Sequence, residues 1–349
     1  MQKGMLPLNA SIYPRKEASV GHLIGRLVHM SKGALAIGVV GALLVGGGMG
    51  VGLYSLLSGN GPKLEAVREY SLDIVPKDIE YGDGAVWHAW TFSGTVPGPT
   101  VTVKVGETLR IKVTNRMDMM HSFHAHMDDY SLENDGSQAN LVTGMGTGGM
   151  LHPGGEYTWT FKPRMPGLYY YHTHSADAGF SPSQVVKQGL YGAIVVEDPK
   201  DPPMRQEVLF MGEIGPATEG KVAPFVMNGM GLVGGEMALE TIFKEEGLAG
   251  LEQRFNKTIP MFKMKVNEPI KLHVVNIGDI EHSLYIHSAR TISLGVLGGR
   301  PWPAKVVPLV QGSADTLRVE FSNPGLWLFH CHVESHADAG MLGVFEVEA

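Results

Sequence analysis

The feature that most constrains this 349-residue chain is an internal repeat. His121-Ser122-Phe123-His124-Ala125-His126 returns as His282-Ser283-Leu284-Tyr285-Ile286-His287. Pro166-Gly167-Leu168-Tyr169-Tyr170-Tyr171-His172-Thr173-His174 returns as Pro324-Gly325-Leu326-Trp327-Leu328-Phe329-His330-Cys331-His332, and Ala176-Asp177-Ala178-Gly179-Phe180 as Ala337-Asp338-Ala339-Gly340-Met341. The offsets are 161, 158 and 161 residues. So constant an offset marks a tandem duplication, two copies of one domain at about 62–198 and 204–349, joined by Asp198-Pro199-Lys200-Asp201-Pro202-Pro203. Around the repeated motifs, alternating segments such as 100–105, 108–113, 157–161, 168–172, 270–275, 317–321 and 344–347 are bounded by Gly, Pro and Asn. They predict short strands in an all-β fold, as sandwiches or barrels. One stretch, 236–254, places Leu239, Ile242 and Phe243 at helical spacing and predicts a helical insertion in the second copy.

Composition removes several functions. Hydrophobic residues make up 44% and charged residues 18%, enough for packed cores. The net charge is −7 and no basic stripe is present, which argues against nucleic-acid binding. One cysteine excludes an intrachain disulfide. Near the N-terminus, Gly33 to Leu57 are 25 consecutive uncharged positions, long enough to cross a bilayer, and predict a transmembrane anchor over 33–58. Lys3, Arg15, Lys16, Arg26 and Lys32 precede it against the single acid Glu17. Positive charge on that side puts residues 1–32 in the cytoplasm and the duplicated domains in the periplasmic or other extracytoplasmic space. The apolar core of a cleaved signal peptide is shorter, about 7–15 residues, so the segment reads as a retained anchor.

Residues i and i+2 of a strand share a face, so His-x-His on a strand aims two imidazoles at one place. The repeat contains four such pairs or remnants: His124/His126, His172/His174, Tyr285/His287 and His330/His332. Concentrating so many of the chain's 15 histidines in matched places calls for a shared partner, and a metal supplies one. The second copy is more specific: His330-Cys331-His332 is followed by His336 and Met341. A thiolate, two imidazoles and a thioether are the ligands of a blue-copper site, with Cys331, His336, Met341 and, as second imidazole, His282.

These motifs, with Asn115-Arg116-Met117, Pro153-Gly154-Gly155-Glu156-Tyr157-Thr158-Trp159 and Gly189-Leu190-Tyr191-Gly192, resemble the multicopper oxidase family over about residues 65–349. The subgroup they look most similar to is the two-domain, laccase-like oxidases with blue copper in the second domain. The resemblance implies two tandem cupredoxin-like Greek-key β-sandwiches. It implies single-electron transfer from a reductant, through blue (type 1) copper, to a copper cluster where oxygen becomes water. It also implies a homotrimer with clusters between subunits, and an electron donor that is a small reductant or a cupredoxin. Carried over by position, type 1 copper takes His282, Cys331, His336 and Met341. The type 3 pair takes His126, His172, His174, His287, His330 and His332. Type 2 copper takes His124 and the residue at 285, which here is Tyr285, a poor neutral ligand. That departure bears on oxygen reduction and leaves two alternatives: a copper nitrite reductase, or a blue-copper electron carrier. In the first copy Thr173, Ser175 and Phe180 stand where Cys331, His336 and Met341 stand in the second, so no blue copper is expected there. Asp129 is a candidate proton relay and Tyr130 resembles a tyrosine near the cluster of similar oxidases. The methionines around the motifs read as core filling.

Overall fold

The computed structural model describes residues 66–82, 84–128, 130–137, 150–174, 180–295 and 301–349. The predicted anchor at 33–58, Asp129 and Ser175 lie outside them. Among the described residues no helix is long and apolar enough to cross a membrane.

Residues 64–349 form one compact unit in which the repeat becomes visible as a repeated topology. In the first domain, Val67–Gly82 runs parallel to Thr108–Asn115, which pairs antiparallel with Glu156–Phe161. In the second, Gln206–Glu213 runs parallel to Ile270–Asn276, which pairs antiparallel with Ala314–Glu320. The facing sheets match as well. Gly98–Lys104, Tyr191–Glu197, Gly167–His172 and His124–Ala125 lie side by side in the first domain. Met261–Lys265, Leu342–Glu348, Gly325–Cys331 and His282–Ile286 do so in the second, with Val306–Leu309 at the edge. Each domain is thus two sheets enclosing an apolar layer, the cupredoxin-like arrangement. Ile74, Phe92, Ile111, Phe123, Trp159 and Tyr171 fill the first; Leu272, Leu317, Phe321, Phe329, Cys331 and Phe345 are in the second.

The alternation that makes these strands also sorts their side chains. In Thr108–Asn115, Leu109, Ile111, Val113 and Asn115 are buried while Arg110 and Lys112 face solvent. The hairpin Val67–Gly82 to Ala85–Phe92 is longer than any strand its sequence announced, because the adjacent charges Arg68-Glu69 and Lys77-Asp78 and the proline at 76 interrupt the period of its first strand. Gly192 is required where it stands: a Cβ there would lie 2.3 Å from the Tyr171 hydroxyl, which donates to Pro99 O.

Three helices matter below: α1, Pro182–Lys187; α2, Gly235–Glu252; and α3, Glu334–Asp338. Helix α1 opens with a capping box, Ser181 Oγ accepting from the Gln184 N–H and the Gln184 side chain accepting from the Ser181 N–H. Helix α2 occupies the segment with helical spacing, but it is broken at Gly247, whose φ of 67° interrupts the turn. Ala238, Leu239 and Ile242 pack on Leu232, Ile259, Leu342 and Val344, whereas Phe243 remains 57% exposed. The stripe that docks is narrower than the one the spacing predicted.

The domains are joined by more than the linker. Tyr170, Val186, Tyr191, Phe210 and Val275 form one apolar cluster, and Tyr170 Oη donates to Gly312 O. Lys187 on α1 lies 2.5 Å from Asp279 Oδ2, and Ser183 Oγ donates to the same oxygen.

Candidate metal centres

In the second domain three potential ligands converge in the core. His282 opens its strand, Cys331 closes Gly325–Cys331, and His336 sits on α3. All three are buried. His282 Nδ1 and His336 Nδ1 are 3.2 Å apart, and Cys331 Sγ lies 3.9 and 3.7 Å from them. Two nitrogens and a sulfur bonded to one metal at roughly 2.0–2.3 Å span edges of that size, so the donor set fits a single ion without rearrangement. Met341 is wholly buried in the same cluster; its N–H donates to His336 O, and its carbonyl accepts from the Cys331 N–H. The Ser283 N–H points at Cys331 Sγ at 3.5 Å. Phe225 stacks on His336 at 4.2 Å between ring centres and closes that side. A soft thiolate with two imidazoles selects copper. Burial lowers the His282 pKa, but Cys331 and Glu213 outweigh it and leave the group raised; burial and the neighbouring His282 hold His336 down.

Two further groups mirror each other across the repeat. In the first domain, His124 faces His126, His172 and His174 at ring separations of 4.9, 5.5 and 5.2 Å. In the second, Tyr285 faces His287, His330 and His332 at 4.6, 5.7 and 5.5 Å. Strand register explains the match: His124 pairs with His172 as Tyr285 pairs with His330. His126 Nε2 is 3.0 Å from His172 Nε2, and His287 Nε2 is 3.2 Å from His330 Nε2. The other nitrogens of the inner pair are engaged, His172 Nδ1 on Thr173 O and His330 Nδ1 on Cys331 O. Each inner ring therefore donates through Nδ1 and turns an Nε2 lone pair to its neighbour, the tautomer a metal ligand needs. Stacking on Tyr170 desolvates one face of the otherwise exposed His126 ring and, with the adjacent rings, pushes it down to about 4, while burial followed by the adjacent rings pushes His172 to about 3, so both are neutral near pH 7. His174 and His287 are lowered chiefly by burial as well.

The ring contacts of each group, among the described residues, stay within its own domain. Both groups are open to solvent: His126 is exposed, and the His332 side chain is 45% exposed.

Several neighbours were invisible in the sequence. Asp135 O accepts from His124 Nδ1 at 2.5 Å, while Asp135 Oδ1 accepts from Tyr130 Oη at 3.1 Å. Tyr130 stands edge-on to His124, and burial with Asp135 pushes its hydroxyl up to about 12, so it acts as a donor and not as a base. Asp128 accepts from Tyr169 Oη. Asn115 Nδ2 donates to Met119 O and Leu151 O while its Oδ1 accepts from the Met117 N–H. Asn276 makes the same three bonds, to Ile280 O, Leu309 O and from the Gly278 N–H. These asparagines, also 161 residues apart, pin the loops that lead into His121 and His282; the repeat offset was the signal that finds the second. Met117, Met127 and Met227 are core residues, as filling residues should be, but Met237 is 78% exposed.

The blue-site counterpart in the first domain is filled differently. His121 is buried against Trp90, 5.3 Å between ring centres, and Trp90 contacts Phe180 at 5.1 Å. Thr173 is fully buried, and its Oγ1 accepts from the Ser122 N–H.

Residues 74–201 and 233–349 each match a family model described as multicopper oxidase. The chain is 25% identical over 295 residues to a probable nitrite reductase-hydroxylamine oxidoreductase fusion protein of Kuenenia stuttgartiensis, covering 79% of this chain and 31% of that protein. It is 25% identical over 311 residues to a copper-containing nitrite reductase of Neisseria meningitidis, covering 79% and 68%. Among solved structures it is similar to a multicopper oxidase with a TM-score of 0.64 and 25% identity, over 82% of this chain and 91% of that one. With both halves matched and a copper-selective donor set in its core, the chain belongs to the multicopper oxidase family, a two-domain copper oxidoreductase.

Proposed function

We propose that the protein is a membrane-anchored oxidase that takes electrons singly from a reductant at a type 1 copper held by His282, Cys331, His336 and Met341. The observation that carries this reading is the buried Cys331–His282–His336 triangle, with Cys331 flanked by His330 and His332. Copper in these places supplies one-electron redox chemistry with oxygen as the acceptor. Cys331 points into the core and its two neighbours point to the other face of the strand, so the covalent chain itself links the blue site to the second group of rings. His126, His172, His174, His287, His330 and His332 hold the type 3 pair, and His124 with Tyr285 borders the type 2 position. Asp135, which accepts from both His124 and Tyr130, orients His124, and Tyr130 keeps a proton nearby; Asp129 is the second proton-handling candidate. The two ring groups, each open to solvent and drawn from one domain, are completed when a neighbouring subunit brings the complementary half, which gives a homotrimer. The uncharged run at 33–57, with positive charge before it, supports an anchor with the copper domains extracytoplasmic.

Tyr285 favours a second reading. A phenol in the place of His124's counterpart weakens the type 2 position, and a curated relative is named as a copper-containing nitrite reductase. Against it, Thr173 takes the blue-site position in the first domain. Copper analysis of the detergent-solubilised chain separates the readings: about three or four ions per chain for the oxidase, about two for the reductase and about one for a carrier. Light scattering on the same sample should give a trimer. Monomers carrying full copper would refute the shared cluster.

A further inference from the structure

Behind the blue site the fold has built in a carboxylate that none of the motifs contains. Glu213 ends the strand Gln206–Glu213, and its side chain is only 12% exposed. Its Oε1 lies 3.4 Å from His282 Nε2, the ring nitrogen directed away from Cys331 and His336. Both atoms are buried, and neither has a closer hydrogen-bond partner among the described residues. Gly278 makes the room, since a Cβ there would fall 2.5 Å from Glu213 Oε1. The other oxygen is held on two sides. Oε2 accepts from the Asp279 N–H at 2.9 Å, and Lys187 Nζ stands 3.6 Å away on α1 of the first domain. Lys187 also pairs with Asp279, to which Ser183 donates.

An anion at Nε2 requires Nε2 to carry the proton, which leaves the Nδ1 lone pair facing Cys331 and His336. It also places a negative charge one imidazole ring away from any ion bound there. That charge interacts more strongly with Cu(II) than with Cu(I), in surroundings that screen it poorly. Lys187 partly cancels it from across the domain boundary. Resting on the reading of His282, Cys331 and His336 as copper ligands, we propose that Glu213 is a positioning residue: it fixes His282 as an Nδ1 ligand and biases the copper toward its oxidised form, while Lys187 of the first domain trims that bias.

The test is a mediated redox titration of the blue absorbance in the full solubilised chain. Glu213→Gln should keep the colour and move the Cu(I)/Cu(II) balance roughly tenfold toward Cu(I), about 59 mV upward for one electron. Glu213→Asp, which keeps the charge, should recover at least part of the difference. Lys187→Gln should move the potential the other way, by a smaller factor. An unmoved potential in a blue Glu213→Gln protein would overturn the proposal, as would shifts of the same sign in both neutralising variants, since packing damage has no charge sign. If Glu213→Gln fails to take up copper, Lys187→Gln decides: a downward shift supports the proposal and any other result overturns it. A colourless wild type would instead remove the copper reading itself, before any variant is compared.

Discussion

The two domains began from one plan and keep the same strand pairing, the same pinned loop and the same ring positions, yet their centres differ in kind. In the second domain His282, His336 and Cys331 turn ligand atoms toward one point. In the first, the corresponding space holds Thr173 and an aromatic packing of Trp90, His121 and Phe180. At the rings the asymmetry runs the other way: the first domain has four histidines and the second has Tyr285 in the first place of its set. A cupredoxin-like sandwich thus keeps its framework with a threonine and aromatic groups where the other copy gathers ligand atoms, and a ring group keeps its spacing with a phenol in one place.

Breaking the contrast at the core should have the largest effect. Cys331→Ser should abolish the blue absorption, and Thr173→Cys should fail to create a second band, because Ser175 and Phe180 offer neither imidazole nor thioether. Visible spectra of the copper-loaded variants decide both. Restoring symmetry at the rings comes next. Tyr285→His should add about one copper per chain by metal analysis and raise oxygen consumption, with a type 2 signal appearing in paramagnetic resonance. An unchanged copper count would mean that Tyr285 already binds as the phenolate.

The asparagines give a matched pair of smaller effects. Asn276→Ala and Asn115→Ala each strand buried carbonyls and should cost about 2–3 kcal/mol in chemical denaturation. Only Asn276→Ala should also alter the blue band, since its loop leads into a copper ligand. The mildest test is acid. His172 is held neutral at about 3, and His273, buried between Gln206 and Thr316, at about 4. A histidine with a depressed folded pKa lets the unfolded chain bind protons first. Stability of the copper-free protein is therefore complete above about pH 6.5 and lost as pH falls toward about 4. His273→Asn should flatten part of that slope, read as melting temperature against pH.

Much of this was legible because the repeat and the strand period are local patterns. His-x-His on a strand must share a face, and the spacing from Cys331 to Met341 leaves few folds that satisfy it. What the sequence withheld depends on distant contacts. Nothing near Glu213 or Asp135 marks them as partners of His282 and His124, since Glu213 ends a strand of the facing sheet and Asp135 closes a short 3-10 turn. Phe243 shows the converse: its helical spacing was correct, but the surface that receives α2 is too narrow to cover it.

The aromatic filling of the first domain carries a consequence for the newly made chain. In the first domain Thr173, with Trp90, His121 and Phe180 nearby, occupies the place of the three ligands of the second domain, so this core closes without a metal at that place. The second domain must bring two imidazoles and a thiol together before an ion arrives to hold them. In a copper-starved cell the core of the amino-terminal half should close on schedule, leaving only its surface rings unfilled, while the core of the carboxy-terminal half waits, less tightly cinched and more open to proteases, for the cofactor that finishes it.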